Sequence, residues 1–450
     1  MKAFQKAFYF LTLVALATPS SIQAQNRYSQ HNLVSDVPGL ADRTDMNLVN
    51  PWGIALSRTS PFWISNNHSS GATVYDSQGQ PFPASTPLMV RVAPPPSGAP
   101  VSRPTGQVFN DTTGFNLAFG KPAAFIFATE DGTISGWNSG VDPQNSVLLV
   151  DNSGAGAVYK GLALATADAG SKLYAANFSL GTIDVFDANL APVLTAGGFS
   201  DPGLPAGFAP FNIQKIGRKL YVTYAMQDGA RHDDVAGAGN GYVNVFDFDG
   251  NLLQRLVSQG SLNSPWGLAL APAYFGAFSS ALLVGNFGDG TINAYDPCSG
   301  QYLGTLADPN GNSLSIPGLW GLAFGNGRNG GDANTLYFTA GIPGTGAIED
   351  HGLFGSLQVA DPPAAPAPQA AALDISNFSF KPDPVNVKAG TQLTWTNQDG
   401  APHTVVADDG SFQSATLNKG QTFSQTLTAP GSHSYHCSIH PFMKGTIVVQ

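Results

Sequence analysis

Pro51-Trp52-Gly53-Ile54-Ala55, Pro265-Trp266-Gly267-Leu268-Ala269 and Leu319-Trp320-Gly321-Leu322-Ala323 are one short phrase written three times. Weaker copies stand at Thr105-Gly106-Gln107-Val108, Lys160-Gly161-Leu162-Ala163 and Phe211-Asn212-Ile213. The aligned positions 53, 106, 161, 212, 267 and 321 are separated by 53, 55, 51, 55 and 54 residues. Near-constant spacing over six copies marks an internal repeat. Each copy is one supersecondary unit that can bury its faces only against its neighbours.

Within each repeat, further β-branched and aromatic runs follow the phrase. The second run reads Phe62-Trp63-Ile64-Ser65-Asn66 in the first copy, Leu220-Tyr221-Val222-Thr223-Tyr224 in the fourth and Leu336-Tyr337-Phe338-Thr339-Ala340 in the last. A third run, usually after glycine, includes Thr182-Ile183-Asp184-Val185-Phe186-Asp187 and Tyr242-Val243-Asn244-Val245-Phe246-Asp247. Fourth runs are visible at Val147–Val150 and Leu252–Leu256. Short strands of this kind, separated by Gly, Asp and Asn, predict four-stranded blades. Asp76, Asp187, Asp247 and Asp296 end equivalent strands, which suits turn formation rather than catalysis. The last copy lacks a fourth strand, and Tyr28–Ser35 is expected to supply it and latch the ring. The expectation is a six-bladed β-propeller over residues 28–358. This region resembles secreted bacterial six-bladed propellers of the NHL-like kind, through Asn32-Leu33-Val34-Ser35-Asp36 and Asn50-Pro51-Trp52-Gly53. That resemblance brings no reaction with it.

A different pattern begins after residue 358. Asp361–Ala372 holds four prolines in twelve residues, so residues 359–372 read as an extended linker. From 373 to 450 about seven strands are expected, starting with the alternating Leu373–Phe380, which indicates a small Greek-key sandwich. The run Tyr435-His436-Cys437-Ser438-Ile439-His440-Pro441-Phe442-Met443 then spaces Cys437, His440 and Met443 three apart, and His403 lies 34 residues before Cys437. Two imidazoles, one thiolate and one thioether are the donor set of a mononuclear type 1 copper site, with Met443 axial. Zinc prefers four strong ligands, and a binuclear copper centre would need a second nearby cysteine. Residues 373–450 resemble a plastocyanin- or amicyanin-type cupredoxin. The matching parts are Asn377-Phe378-Ser379-Phe380-Lys381-Pro382, Trp395-Thr396-Asn397, Pro402-His403-Thr404-Val405 and the final loop, whose short spacing is nearest amicyanin. The resemblance implies one copper per chain on His403, Cys437, His440 and Met443. It also implies an apolar docking face of Pro402, Pro441 and Phe442 around His440. Thr404 stands where many relatives carry Asn.

The fold expectation is therefore all-β throughout, a six-bladed β-propeller followed by a Greek-key cupredoxin sandwich. The function expected is one-electron transfer by an exported copper protein, with the propeller as a docking or scaffold module. The alternative is an oxidoreductase whose propeller oxidises a small substrate and passes electrons to copper; storage or delivery of copper is a third reading. No catalytic residue and no organic cofactor are assigned. The partner expected is a redox protein such as a cytochrome or dehydrogenase.

Composition agrees with export. Charged residues are 11% of the chain, while Gly (52) and Pro (33) are abundant. Lys2, Lys6 and the apolar run Phe8–Ala17 read as a signal peptide over residues 1–24, too short to span a bilayer comfortably. Periplasmic or secreted localisation follows, with no membrane attachment after cleavage. The formal charge of −10 and the lack of a basic cluster argue against nucleic-acid binding. Cys298 and Cys437 are the two cysteines, and a disulfide between them is rejected because the copper site needs the Cys437 thiolate. Arg231-His232-Asp233-Asp234 is the most polar cluster of the first region; it could line a central funnel or bind calcium, though a solvated loop is the plainer reading. His433 and His436 are expected to face solvent.

Overall fold

The computed structural model describes residues 26–96, 101–168, 170–345, 348–360 and 370–450. The expected signal segment and most of the expected linker lie outside the described residues. The described chain is all-β, with three single-turn 3-10 helices, and it divides into two compact units, Met1–Ala360 and Asp361–Gln450. No helix among the described residues is long and apolar enough to cross a membrane.

Among the described residues the first unit contains six sheets taken in chain order, antiparallel but for one short edge pair. Pro51–Ala55, Phe62–Asn66, Gly71–Tyr75 and Met89–Arg91 form one of them as a simple meander. The sheets beginning at Pro104–Phe109, Phe208–Ile216 and Pro265–Leu270 repeat this order. The third sheet, beginning at Tyr159–Ala167, has three strands rather than four. Its next segment makes only a bridge between Phe186 and Pro192, and proline has no N–H to extend a ladder. The last sheet is completed by the first strand of the chain, since Tyr28–Ser35 pairs antiparallel with Leu353–Val359 from Tyr28↔Val359 to Ser35↔Leu353. Arg43–Thr44 then caps its outer edge. The aspartates at the strand ends do what turn chemistry asks: the Asp187 carboxylate accepts the Asn189 and Ala191 N–H groups, and Asp247 treats Asp249 and Asn251 in the same way.

The glycine of the repeated phrase has a packing reason. A Cβ on Gly53 would lie 2.4 Å from Thr105 O; on Gly106, 2.5 Å from Leu162 N; on Gly161, 2.3 Å from Asn212 Oδ1. On Gly267 it would lie 2.4 Å from Trp320 O, and on Gly321, 2.7 Å from Trp52 O. Each innermost strand thus presses on the innermost strand of the next sheet, and the sixth returns to the first. At position 212, the one copy without glycine, Asn212 Nδ2 donates to Trp266 O across the same gap. Trp52, Phe211, Trp266 and Trp320, from strands of four sheets, and Phe178 and Phe287, from turns within the third and fifth, form one buried aromatic cluster. Trp320 lies stacked between Trp52 and Phe287, with ring centroids 3.5 and 4.0 Å away.

The second unit packs two four-stranded sheets around Trp395, Tyr435, Phe380 and Leu393. One sheet holds Ser379–Lys381, Ala370–Ser376, Thr391–Asn397 and Thr422–Leu427; the other holds Val385–Val387, Lys444–Val449, Gly431–His436 and Val406–Ala407. The expected single strand Leu373–Phe380 is broken at Asn377 and Phe378, which both have positive φ (52° and 54°). Gly267→Ala should destabilise the first unit by about 1–3 kcal/mol through overpacking, seen as a lowered midpoint in its denaturant unfolding. Gly390→Ala, where a Cβ meets nothing within 4 Å but φ is +85°, should lower only the midpoint of the second.

Candidate metal centre

The site is assembled at one end of the sheet that holds Val406–Ala407 and Gly431–His436, from the connection before the first and the loop after the second. His403 is fixed by its backbone: its N–H donates to Leu417 O (3.0 Å) and its carbonyl accepts Leu417 N–H (2.7 Å). Cys437 directly follows the strand Gly431–His436. Its N–H donates to Met443 O, and Met443 N–H donates to His440 O, so the loop turns back on itself before Lys444–Val449 begins. This closure sets His440 beside the sulfur and buries Met443 (2% exposed) in the same core as Cys437 (0%).

Three donor atoms converge. Cys437 Sγ lies 3.8 Å from His403 Nδ1 and 3.7 Å from His440 Nδ1, and the two Nδ1 atoms are 3.2 Å apart. An ion with bonds of about 2.0–2.3 Å, meeting its ligands at angles of roughly 105–120°, spans ligand separations of roughly 3.2–4 Å. His403, Cys437 and His440 fit that demand without rearrangement. Met443 is buried in the same core and tied to the loop through its backbone.

The surroundings select the orientation of each group. Asp399 Oδ2 stands 3.1 Å from His403 Nε2. A carboxylate can only accept there, so Nε2 carries the proton and Nδ1 presents its lone pair to the cluster. The same carboxylate accepts the N–H groups of Asn377 (2.7 Å) and Phe378 (2.9 Å), and these bonds, led by that from Phe378, hold its pKa below the ordinary value. Burial lowers the pKa of His403, against the opposing pull of Asp399. Phe378, placed by that turn, sets its ring edge-to-face with both imidazoles, at 5.3 Å from His403 and 5.0 Å from His440. Thr404 donates its N–H to Cys437 Sγ (3.3 Å), and its hydroxyl lies 3.7 Å from the same sulfur. The Thr404 hydroxyl also accepts Ser438 N–H (2.8 Å), bracing the ligand loop. Asp399 and Phe378 were not among the candidates read from sequence. Cys298 and Cys437 are both free thiols, the first exposed and the second buried. His436 is half-buried and paired with Asp408 at 2.5 Å.

Comparison with known proteins agrees with this geometry. Residues 353–449 match the family model of the cupredoxin-like domain. The amicyanin of Paracoccus denitrificans is 32% identical over 122 residues, covering 25% of this chain and 88% of that protein. The chain belongs to the cupredoxin family. The plastocyanin of Scenedesmus fuscus is 36% identical to this cupredoxin over 90 residues, covering 17% of the chain and 92% of the relative. An uncharacterised protein of Acanthamoeba polyphaga mimivirus is 38% identical over 320 residues, covering 69% of this chain and 76% of its own. A match of that length lies mostly in the first unit, because Asp361–Gln450 is far too short to contain it. The family match opens at residue 353, yet Leu353–Val359 hydrogen-bonds within the first unit; the cupredoxin strands themselves begin at Ala370.

The Arg231–Asp234 loop is largely solvated, with Arg231 and Asp233 exposed, but its Asp233 carboxylate reaches a buried lysine. Asp233 Oδ1 lies 3.3 Å from Lys160 Nζ and 2.8 Å from His232 Nδ1. Lys160 and Glu130, both fully buried, form a direct ion pair, and Asn67 Nδ2 donates to the second Glu130 oxygen. Glu349 stands in the same field. Burial and the negative charges of Glu130 and Asp233 push its carboxyl up to about 7, while the Asn50 amide donates to it.

Asp399→Ala should weaken copper binding roughly 10–100-fold by freeing the His403 ring, measured by competition with a copper chelator. A second test concerns pH. The Glu349 pKa is raised from 4.5, so its contribution to stability is full below pH 4.5 and is lost as pH rises through 7. Thermal melts of Glu349→Gln and wild type should differ little at pH 5, with the variant ahead by of order 2–3 kcal/mol at pH 8.5.

Proposed function

We propose that this cupredoxin is an exported one-electron carrier with one type 1 copper per chain, held by His403, Cys437 and His440 with Met443 as the axial group. The observation that carries the reading is the triangle of one sulfur and two Nδ1 atoms, formed from two connections at one sheet end. Copper, when bound, supplies a centre that cycles between Cu(I) and Cu(II) in a geometry acceptable to both. The chain's own residues supply the rest. The Thr404 N–H tempers the charge on the thiolate sulfur. Asp399 fixes the His403 ring, and the Leu417 bridge fixes its backbone. Phe380, Trp395 and Tyr435 keep water from the inner side. Little needs to move when charge on the site changes.

His440 is the half-buried ligand, and the surface around it is apolar: Phe378, Ile439 and Phe442 are 44, 42 and 71% exposed. We assign this patch as the docking face for a redox protein such as a cytochrome or dehydrogenase. From residue 372 onward the chain carries four Lys and five Asp, so contact area rather than long-range steering would dominate. For the first unit we propose a closed six-bladed β-propeller over residues 28–358, acting as scaffold. The cyclic contacts of the inner strands and the pairing of Tyr28–Ser35 with Leu353–Val359 support it. Export is supported by the signal-like composition of residues 1–24.

Copper-loaded protein should show an intense thiolate-to-copper absorption band in the visible. Cys437→Ser should abolish it, and Met443→Leu should keep it while shifting the reduction potential. A colourless copper adduct, or a band indifferent to Cys437→Ser, would overturn the assignment.

A further inference from the structure

Among the described residues, the third sheet of the first unit is the only one with fewer than four strands. Its last strand, Thr182–Asp187, pairs on one side with Gly170–Asn177. On the other side the chain returns only as far as Val193, whose N–H donates to Val185 O (2.8 Å), beside the bridge of Phe186 and Pro192. In an antiparallel strand the backbone groups of alternate residues point to the same side. Ile183 therefore turns its N–H and carbonyl outward, as Val185 does, and nothing in the described chain pairs with them.

The sister sheets show what belongs there. In the first, the same bridge recurs between Tyr75 and Pro81, the chain leaves, and Met89–Arg91 comes back to lie opposite Gly71–Thr73, with Val90 against Ala72. Val150 lies opposite Ile134 in the second sheet, and Val257 opposite Val243 in the fourth. In the fifth, Leu306 N–H donates to Ile292 O (2.9 Å). Ala72, Ile134, Val243 and Ile292 are all 0% exposed beneath that aliphatic cover. Ile183, their counterpart, is only half-buried, and Thr182 beside it is exposed. A groove of about 530 Å³ follows this edge, walled by Val185, Phe186, Val193 and the fully exposed Leu194.

Charge selects the neighbour of the missing aliphatic residue. The Asp184 carboxylate accepts the Tyr159 hydroxyl, the Asn177 amide and the Thr182 hydroxyl, all neutral groups, and no base in the described chain stands at ion-pair distance from it. Its counterpart in the fourth sheet, Asn244, lies opposite Arg255, which is ion-paired with Asp201. The third sheet thus has the carboxylate without the arginine. An open strand edge is a template for another chain, with backbone bonds giving affinity and alternate side chains giving choice. We propose that Thr182–Asp184 receives an extended segment of a partner polypeptide, running antiparallel, with a basic residue opposite Asp184 followed by Val, Ile or Leu opposite Ile183. The N–H of that aliphatic residue donates to Ile183 O, and its carbonyl accepts the Ile183 N–H. The partner supplies the strand that the sister sheets take from this chain. A second copy of the same edge is the poorer occupant, because it brings another Asp184 and no base. None of this depends on the copper reading.

The test is fluorescence anisotropy of a dye-labelled peptide, Thr-Thr-Arg-Val-Thr-Thr, titrated with the full-length chain. Saturable binding is expected. Methylating the valine nitrogen removes the N–H offered to Ile183 O and should weaken binding at least tenfold. Glutamate in place of the arginine should do the same. Ile183→Pro deletes an N–H that serves no bond within the sheet, and proline is tolerated on a strand edge. This variant should keep the wild-type far-ultraviolet circular dichroism and lose the peptide. Three results would overturn the proposal: no saturable binding, equal binding of the methylated peptide, or equal binding of the glutamate peptide. Binding that survives Ile183→Pro would place the peptide elsewhere and overturn it too. So would self-association of the chain, seen in sedimentation, that Ile183→Pro abolishes. If that variant does not fold, the methylated and unmethylated peptides on the wild-type chain decide alone.

Discussion

A sulfur buried in an apolar core, facing two imidazole nitrogens less than 4 Å away, is the arrangement on which the proposed copper site depends. A thiolate alone in that core would carry a heavy desolvation cost. With bare lone pairs on both ring nitrogens, as metal binding requires, the 3.2 Å contact between them would be repulsive without an ion. A soft monovalent or divalent ion at the centre relieves both at once. The local details follow from this demand: the Leu417 bridge that sets His403, the loop turned back by the Cys437 and Met443 backbones, and the carboxylate that decides which nitrogen of His403 is bare.

Asp399 connects local strain to the site. Phenylalanine seldom adopts positive φ, yet Phe378 does so at 54°. The Asp399 carboxylate takes the N–H groups of that turn and of Asn377, and it is the same carboxylate that orients His403. One side chain thereby fixes both the apolar rim and the ligand ring. In the first unit the dominating constraint is different. Glycine at the repeated phrase lets neighbouring inner strands approach so closely that a methyl group would strike backbone or side-chain atoms. Each sheet is held by the next, and the first strand of the chain is used to finish the last sheet.

Much of this was legible in the chain. The repeat anchors, the latch Tyr28–Ser35 and the converging residues His403, Cys437 and His440 can be read from residue type and spacing, because those features are periodic or chemically distinctive. Asp399 was not legible. It sits in Gln398-Asp399-Gly400, which reads as an ordinary turn, and four residues before a histidine has no fixed geometry outside a helix. Phe378 was misplaced because Leu373–Phe380 alternates as one strand, and nothing local reports the break at Asn377. Lys160 read only as the first residue of a weak repeat copy. Its burial depends on Glu130 and Asp233 from other repeats, and on Trp52, so only the assembled unit reveals it.

X-ray absorption fine structure at the copper edge, recorded on oxidised and reduced protein, tests the central claim most directly. Two nitrogen scatterers and one short sulfur scatterer are expected in both states, with little change in distance between them. Loss of a histidine on reduction, or a shell of nitrogen and oxygen without sulfur, would contradict it.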